Sequence, residues 1–279
     1  MTALLLGLAA ALAWGLHDLL VRRIAPGGNV MGQILVVAAV GAALLALPGA
    51  GQLKDLSAAA LTQAALAGIS YVLAFIGLFR AFGLAPARVV SPVLGAYPLL
   101  TMLAAAFSGA EVSPADWLAV VAVVAGVAVT AALAEDEAQG PSAPRAALLW
   151  AALGAAGFAA TFALGQAASV GDLSLAAGLV TRLSGLACIL ALLAVQRPSL
   201  QPVRRHWRVL IVMGLLDTTA LALVMLAGGR PHAEYAAVAA SLFGVVTILL
   251  AWRVLGERVR PVQWLGIALV FAGIAQLAL

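Results

Sequence analysis

Four ionisable side chains stand inside long apolar stretches of the sequence. His17 and Asp18 lie in the first stretch, and Arg182 and Asp217 lie in two consecutive later ones. Charged groups in the hydrocarbon layer of a membrane are costly, so they mark ion or substrate pathways or pair with one another. Asp217 falls close to the midplane at about 1.5 Å per helical residue, and Arg182 at a similar depth. The pair is therefore predicted to be a substrate or proton site, or a buried ion pair that joins two helices.

His17 and Asp18 allow two interpretations. Adjacent helical residues point about 100° apart, so these two share a face only in part. Asp18 and Arg22 are four residues apart, in the acid-first order that favours an ion pair on a helix. A structural Asp18–Arg22 pair near the membrane interface is therefore one interpretation, and a functional ionisable site is the other.

Aromatic residues in the apolar stretches could line a binding cavity. Trp14, Tyr71, Tyr97 and Phe243 are the candidates, since aromatic faces accept apolar groups and cations. The alternative is that they serve packing or anchor the chain at the membrane interface.

The composition indicates an integral membrane protein. Hydrophobic residues make up 65% of the chain and charged residues only 9%, whereas a soluble domain has about 25% charged residues. Mean hydropathy is +1.12. The net charge of +4 is small and the basic residues stand between apolar stretches, so they indicate membrane topology and not nucleic-acid binding. The lone Cys188 excludes an intramolecular disulfide and a cysteine-based metal site.

An all-α integral membrane fold with ten transmembrane helices follows from the apolar stretches. About 20 apolar residues cross a bilayer as a helix. The predicted spans are residues 3–22, 30–48, 60–82, 87–108, 114–134, 146–168, 173–195, 207–228, 232–254 and 261–279.

The chain contains one stretch twice: the first copy is residues 81–132 and the second is residues 227–278. Each copy carries a glutamate, a proline and a tryptophan in order: Glu111, Pro114 and Trp117, then Glu257, Pro261 and Trp264. Two five-helix halves are predicted, 1–134 and 146–279, joined by a polar linker at 135–145. Because five is odd, the halves must cross the membrane in opposite directions, as in inverted-repeat transporters with a midplane site. Spans four and nine, with spans one, three, six and eight, are the predicted cavity walls.

These motifs resemble a known family. Gly256-Glu257, Pro261 and Trp264-Leu265-Gly266 resemble the Gly-Glu…Pro…Trp-hydrophobic-Gly signature of EamA-type proteins, in the drug/metabolite transporter superfamily. Phe79-Arg80-Ala81, Pro86-Ala87 and Trp14-Gly15 are also similar to it. The resemblance covers nearly the whole chain.

The resemblance implies a secondary transporter, an exporter of small metabolites such as amino acids, in a bacterial inner or plasma membrane. Protons or a counter-solute would drive it, and no cofactor is expected. The sequence has no phosphate-binding glycine-rich loop, which argues against direct coupling to ATP. A membrane-embedded enzyme with His17 and Asp18 as acid–base groups is the alternative. A structural or sensory membrane protein is a third possible function. Such a protein would need polar loops that bind partners, and the sequence has none.

The arginines predict the orientation. Twelve of them lie at or near the links that follow odd-numbered spans, which we call the odd face, and only Lys54 and Arg230 lie at the opposite, even face. The positive-inside rule puts the odd face in the cytoplasm and both termini outside. Arg88 and Glu234 start spans four and nine at opposite faces. They are predicted to be gating residues, Arg88 with Asp18 as partner and Glu234 with Arg230 or His232, or else ordinary interfacial charges.

Overall fold

The computed structural model describes residues 2–26, 29–107, 113–135, 144–169, 173–228, 239–240 and 242–277, and these are all-α, without a strand. The helices are α1 (Thr2–Ile24), α2 (Val30–Ala50), α3 (Ala58–Leu84), α4 (Ala87–Gly95), α5 (Tyr97–Phe107), α6 (Pro114–Glu135), α7 (Pro144–Ala168), α8 (Ser174–Gln196), α9 (Gln201–Gly228), α10 (Phe243–Leu255) and α11 (Pro261–Leu277). A short 3₁₀ turn, Leu53–Asp55, precedes α3.

Six helices are long and apolar enough to cross a membrane. They are α1, α2, α3, α7, α8 and α9, and shorter apolar helical stretches occupy 87–100, 114–129, 243–255 and 261–276. The outer surface is apolar as well, with Leu47 93% and Val195 82% exposed. Apolar side chains can face lipid at no cost, because lipid tails are as apolar as the protein interior. The protein is therefore a multi-pass integral membrane protein; ten complete spans remain a prediction.

Local signals in the sequence set where the helices begin. Asn29 accepts a hydrogen bond from Gly32 N at the start of α2, and Ser57 accepts one from Ala60 N at the start of α3. These side chains satisfy backbone N–H groups that have no partner within the first turn. α6 and α11 begin at Pro114 and Pro261, where the missing proline N–H is no loss.

The stretch predicted as a single span four consists of two helices. α4 ends at Gly95 and α5 begins at Tyr97, with Ala96 between them. Pro98 has no N–H to donate to the carbonyl of Leu94, and its ring disfavours a helical conformation at Tyr97. The predicted span over 87–108 is therefore interrupted at Ala96, and the break places Tyr97 at the start of a new helix.

Each helix packs mainly against helices of the other half of the chain. α3 lies against α7 and α8, α1 lies against α9 and α10, and α2 lies against α8 and α9. α4 contacts α7 and α10, and α6 contacts α11. If each helix is exchanged for its counterpart in the repeat, the contact α3–α7 becomes α9–α1, and α3–α8 becomes α9–α2. The described helices of the first half therefore pack among those of the second half.

The contact between α6 and α11 shows the same exchange at single residues. A Cβ added at Gly126 would lie 2.7 Å from Val270 Cγ2, and one added at Gly273 would lie 2.8 Å from Val123 Cγ2. Val123 and Gly126 of the first half correspond to Val270 and Gly273 of the second. Each glycine thus packs against the valine of the other copy, and such reciprocal contacts are typical of a two-fold interface. Small residues let the two backbones approach closely.

Candidate substrate-binding cavity

A cavity of about 410 Å³ lies at the centre of the bundle. Its walls come from α1, α3, α7, α8 and α9, with Tyr97 of α5 and Phe243 of α10. The volume falls in the range of about 300–1,000 Å³ that is usual for small-molecule sites. The cavity is therefore large enough for a small metabolite.

The carboxylate of Asp217 collects three donors from three other helices. Arg182 Nη2 of α8 lies 2.8 Å from Oδ2, and Tyr71 Oη of α3 donates to the same oxygen across 3.4 Å. Trp14 Nε1 of α1 donates to Oδ1 across 3.2 Å. Asp217 on α9 is 5% exposed and Arg182 is 2% exposed. A buried carboxylate with these partners is neutralised and held in one position, which confirms that Asp217 and Arg182 pair.

Close packing of α8 on α3 positions Arg182. Thr181 Oγ1 donates to Ala64 O across 3.2 Å, and it also bonds to Ala177 O within its own helix. The guanidinium lies over the ring of Tyr71, with its carbon 4.4 Å from the ring centroid. Arg182 Nε and Nη1 have no hydrogen-bond partner among the described residues. Two donors of this buried cation therefore have no hydrogen-bond partner in the described part of the chain.

His17 and Asp18 form a second polar cluster in the same wall. His17 Nδ1 and Asp18 Oδ1 are 2.9 Å apart, and the two residues are 1% and 2% exposed. His17 Nε2 and Asp18 Oδ2 find no partner within the described ranges. The His17 ring also meets Phe75 edge-on, with centroids 5.6 Å apart. Although adjacent helical residues point apart, both side chains reach the cavity.

The predicted Asp18–Arg22 pair is not what the structure shows. Arg22 Nε instead lies 2.7 Å from Glu257 Oε1, and Arg22 Nη1 donates to Phe82 O across 2.8 Å. Glu257 Oε2 also accepts from Ala87 N, the first residue of α4. Arg22 belongs to the last turn of α1, so its long side chain reaches the helix ends gathered at the odd face. Asp18, one turn deeper, bonds with His17.

Aromatic rings cover much of the cavity. The Trp14 ring meets Phe243 with centroids 6.3 Å apart, and Tyr97 lies against Phe162 at 5.0 Å. Phe158 and Phe162 of α7 stack at 6.2 Å. These rings form an apolar part of the cavity lining.

The cavity extends towards the even face. Gln166 and Ser169, at the C-terminal end of α7, and Ser174, at the N-terminal end of α8, line it there. Towards the odd face, Phe79 and Phe82 of α3 are completely buried. Arg22, which binds Glu257, donates to Phe82 O at this end of α3. The described structure is therefore closed at the odd face.

The structure brings most of the predicted site residues together. Eight of them line the one cavity: Trp14, His17, Asp18, Tyr71, Tyr97, Arg182, Asp217 and Phe243. Arg88 is 8% exposed and does not line this cavity. Glu234, Arg230 and His232 lie outside the described residues. What each residue does in transport remains a prediction.

Sequence reasoning placed α7, as span six, among the cavity walls, but it did not name the phenylalanines of α7 that line the cavity and did not count α8 as a wall. Phe158 and Phe162 stand four residues apart, and Thr161 lies between them. Their spacing puts the two phenylalanines on one helical face. The pattern is also typical of ordinary helix packing, so the spacing alone could not have indicated a cavity.

A helical membrane bundle with a central polar and aromatic cavity has the architecture of a solute carrier. The EamA-like transporter family matches residues 1–132 and 145–279, and the chain belongs to this family. The protein is accordingly a membrane transporter of small solutes. Fourteen chains of solved structures match. One, a protein crystal structure, has a TM-score of 0.65 at 19% sequence identity, over 98% of this chain and 95% of its own. No curated protein sequence matches significantly.

Proposed function

We propose that this protein is a secondary active exporter of small amphipathic metabolites, such as amino acids or related solutes. The observation that carries the proposal is the buried Arg182–Asp217 pair in the wall of an aromatic-lined cavity of about 410 Å³. Two chemistries face the same space there: donors that suit an anionic group, and ring faces that suit an apolar or cationic one.

Arg182 is the proposed anchor of the substrate. Its Nη2 is occupied by Asp217, while Nε and Nη1 have no partner among the described residues. A guanidinium offers its N–H groups in a planar fork that matches a carboxylate. The substrate carboxylate would therefore bind Arg182 while Asp217 keeps the guanidinium oriented.

The aromatic wall would take the remainder of the substrate. Phe158, Phe162 and Tyr97 lie together on one side of the cavity. Their faces accept aliphatic or aromatic side chains, and they also attract an ammonium group. A solute with one carboxylate and one apolar or cationic part fits this division, and an amino acid is the simplest example.

Alternating access would move the solute across the membrane. The exchange of helix contacts between the halves supports an inverted repeat, in which the two halves rock around a central site. The described state has its cavity towards the even face, which the arginine bias places outside. Substrate would be released from this state, after loading from the cytoplasm when the odd face opens. A residue can gate such a cycle only if its contacts differ between the two states.

Solute flux in proteoliposomes tests the proposal. Purified protein would be reconstituted, and exchange of a panel of radiolabelled amino acids would be measured. Phe162→Ala should weaken the apparent affinity about two- to tenfold, because it removes a ring contact of about 0.5–1.5 kcal/mol. Leu149→Ala is the matched control, since Leu149 lies on α7 as well but is 74% exposed on the outer surface.

The outcomes separate transport from the alternatives. Saturable exchange that is impaired by Phe162→Ala and not by Leu149→Ala supports the proposal. Equal affinities in the two variants would contradict the cavity as the substrate site. Turnover of a lipid substrate without solute flux would favour an enzyme instead.

A further inference from the structure

The two acidic residues in the cavity wall differ in how their charge is balanced. Asp217 pairs with the permanently charged Arg182 and also accepts from Trp14 and Tyr71. Asp18 has His17 as its one partner among the described residues, and Asp18 Oδ2 is left without a hydrogen bond. The balance of charge at Asp18 therefore depends on whether His17 carries a proton.

The hydrogen bond defines which ring nitrogen of His17 can take up that proton. With Asp18 ionised, its carboxylate only accepts, so His17 Nδ1 then donates to Asp18 Oδ1. In the neutral ring the other nitrogen, Nε2, then holds a free lone pair. His17 Nε2 is buried without a partner in the described part of the chain, and His17 lines the cavity. Protonation at Nε2 would turn the ring into a cation that is already bound to a carboxylate.

The other ionisable groups in the cavity do not change its net charge when His17 binds a proton. They are Asp217 of α9, Arg182 of α8, Tyr71 of α3 and Tyr97 of α5, and α10 contributes only Phe243 to the cavity. Arg182 and Asp217 cancel each other's charge at 2.8 Å. The pair His17–Asp18 therefore changes the net charge of the cavity by one unit when it binds a proton.

We propose that the His17–Asp18 pair is a proton-binding site of this protein, with His17 Nε2 as the atom that takes up the proton. A hydronium ion in the cavity gives up its proton, so one O–H bond breaks as the N–H bond forms at Nε2. The N–H bond later breaks when the proton returns to water at the other face, where a new O–H bond forms.

Proton uptake at this pair would couple to solute movement, and this part rests on the proposed function. With neutral His17 the pair carries one negative charge and attracts a cationic group of the substrate. With protonated His17 the pair has no net charge, so that attraction is lost. A proton that enters from the even face would thus favour release of the substrate there, since a ligand shifts a conformational or binding equilibrium only by its differential affinity.

Histidine nitrogen NMR on the full-length protein tests proton binding without any substrate. The chain has three histidines, His17, His206 and His232, and each His→Gln variant assigns its signal. The His17 signal should pass from neutral, protonated on Nδ1, to doubly protonated as the sample is taken from alkaline to acidic pH. A His17 ring that keeps one protonation state across this range would overturn the proposal, as would a neutral ring protonated on Nε2.

Asp18→Asn provides a second measurement with a predicted direction. It removes the carboxylate that stabilises the imidazolium, so the fraction of doubly protonated His17 in the NMR series should fall. His206→Gln is the control, because His206 lies near the start of α9 and not in the cavity. An unchanged His17 titration in Asp18→Asn would contradict the pair as the proton site.

Transport with and without a pH gradient then tests the coupling. The ratio of flux with the gradient to flux without it should fall close to unity in His17→Gln and stay at the wild-type value in His206→Gln. Equal ratios in wild type and His17→Gln would overturn the coupling. Wild type that transports none of the amino acids would contradict the proposed function, whereas the NMR titration would still decide the proton site.

Discussion

Tyr71 Oη donates to Asp217 Oδ2 across 3.4 Å, and the two residues occupy matching positions in the repeated sequence. They are 146 positions apart, the spacing that also relates Glu111 to Glu257. In a two-fold arrangement, equivalent positions can touch only near the axis. This contact indicates that an axis between the halves would pass through the cavity, although one copy has a phenol and the other a carboxylate. The site is thus asymmetric in its chemistry.

Loss of Arg182 should destabilise the protein more than loss of both partners. Arg182→Met leaves a buried, unpaired Asp217 and is expected to cost about 3–5 kcal/mol of unfolding free energy. Arg182→Met combined with Asp217→Leu should cost less, because no buried charge is left alone. Unfolding of purified protein in detergent measures both. Arg80→Met is the control, since exposed Arg80 only covers the Trp150 ring, and a double variant less stable than Arg182→Met would contradict the argument.

Glu257→Gln should loosen the odd face. The change keeps an oxygen for Ala87 N but removes the charge that binds Arg22 at 2.7 Å. A cysteine at Leu78, which lines the cavity, should then react faster with a membrane-impermeant maleimide added from the odd face, in a Cys188→Ser background. Arg258→Gln, an exposed neighbouring charge, is the matched control. Equal labelling rates in both variants would show that the Arg22–Glu257 contact does not hold this face closed.

Gly126→Ala and Gly273→Ala should both reduce stability. Each added methyl group would lie under 3.0 Å from a valine of the facing helix, and such overpacking costs about 1–3 kcal/mol. Gly165→Ala should have the opposite sign, because no atom lies within 4 Å of its Cβ and alanine favours a helix by about 1 kcal/mol. Thermal unfolding of the three variants decides this, and a stabilising effect at Gly126 or Gly273 would refute the close contact.

The arginine distribution predicts that both termini lie outside the cytoplasm. Twelve arginines at the odd face against Lys54 and Arg230 at the even face set this orientation. A reporter that is active only outside the cytoplasm should therefore be active when fused to the C-terminus. Activity of a cytoplasm-only reporter at that position would reverse the assignment, and with it the direction of the proposed export.

Much of the architecture was readable from local sequence. Apolar stretches of about 20 residues predict helices in a membrane, and the repeated Glu…Pro…Trp motif indicates two related halves and a known family. The prolines at 114 and 261 locate two helix starts. The sequence also indicated the candidate site residues His17, Asp18, Arg182 and Asp217, because a charged side chain among apolar neighbours is costly in a membrane.

Tertiary structure decided which of those residues meet. Arg22 could pair with Asp18 one turn away, but it binds Glu257, which is 235 positions distant, and this leaves Asp18 to His17. Phe158 and Phe162 look like packing residues until α7 is placed beside the cavity. Helix propensity and hydropathy depend on neighbours along the chain, so the sequence alone determined the helices. Pairing of side chains depends on how the helices of the two halves pack, and only the assembled bundle determines that.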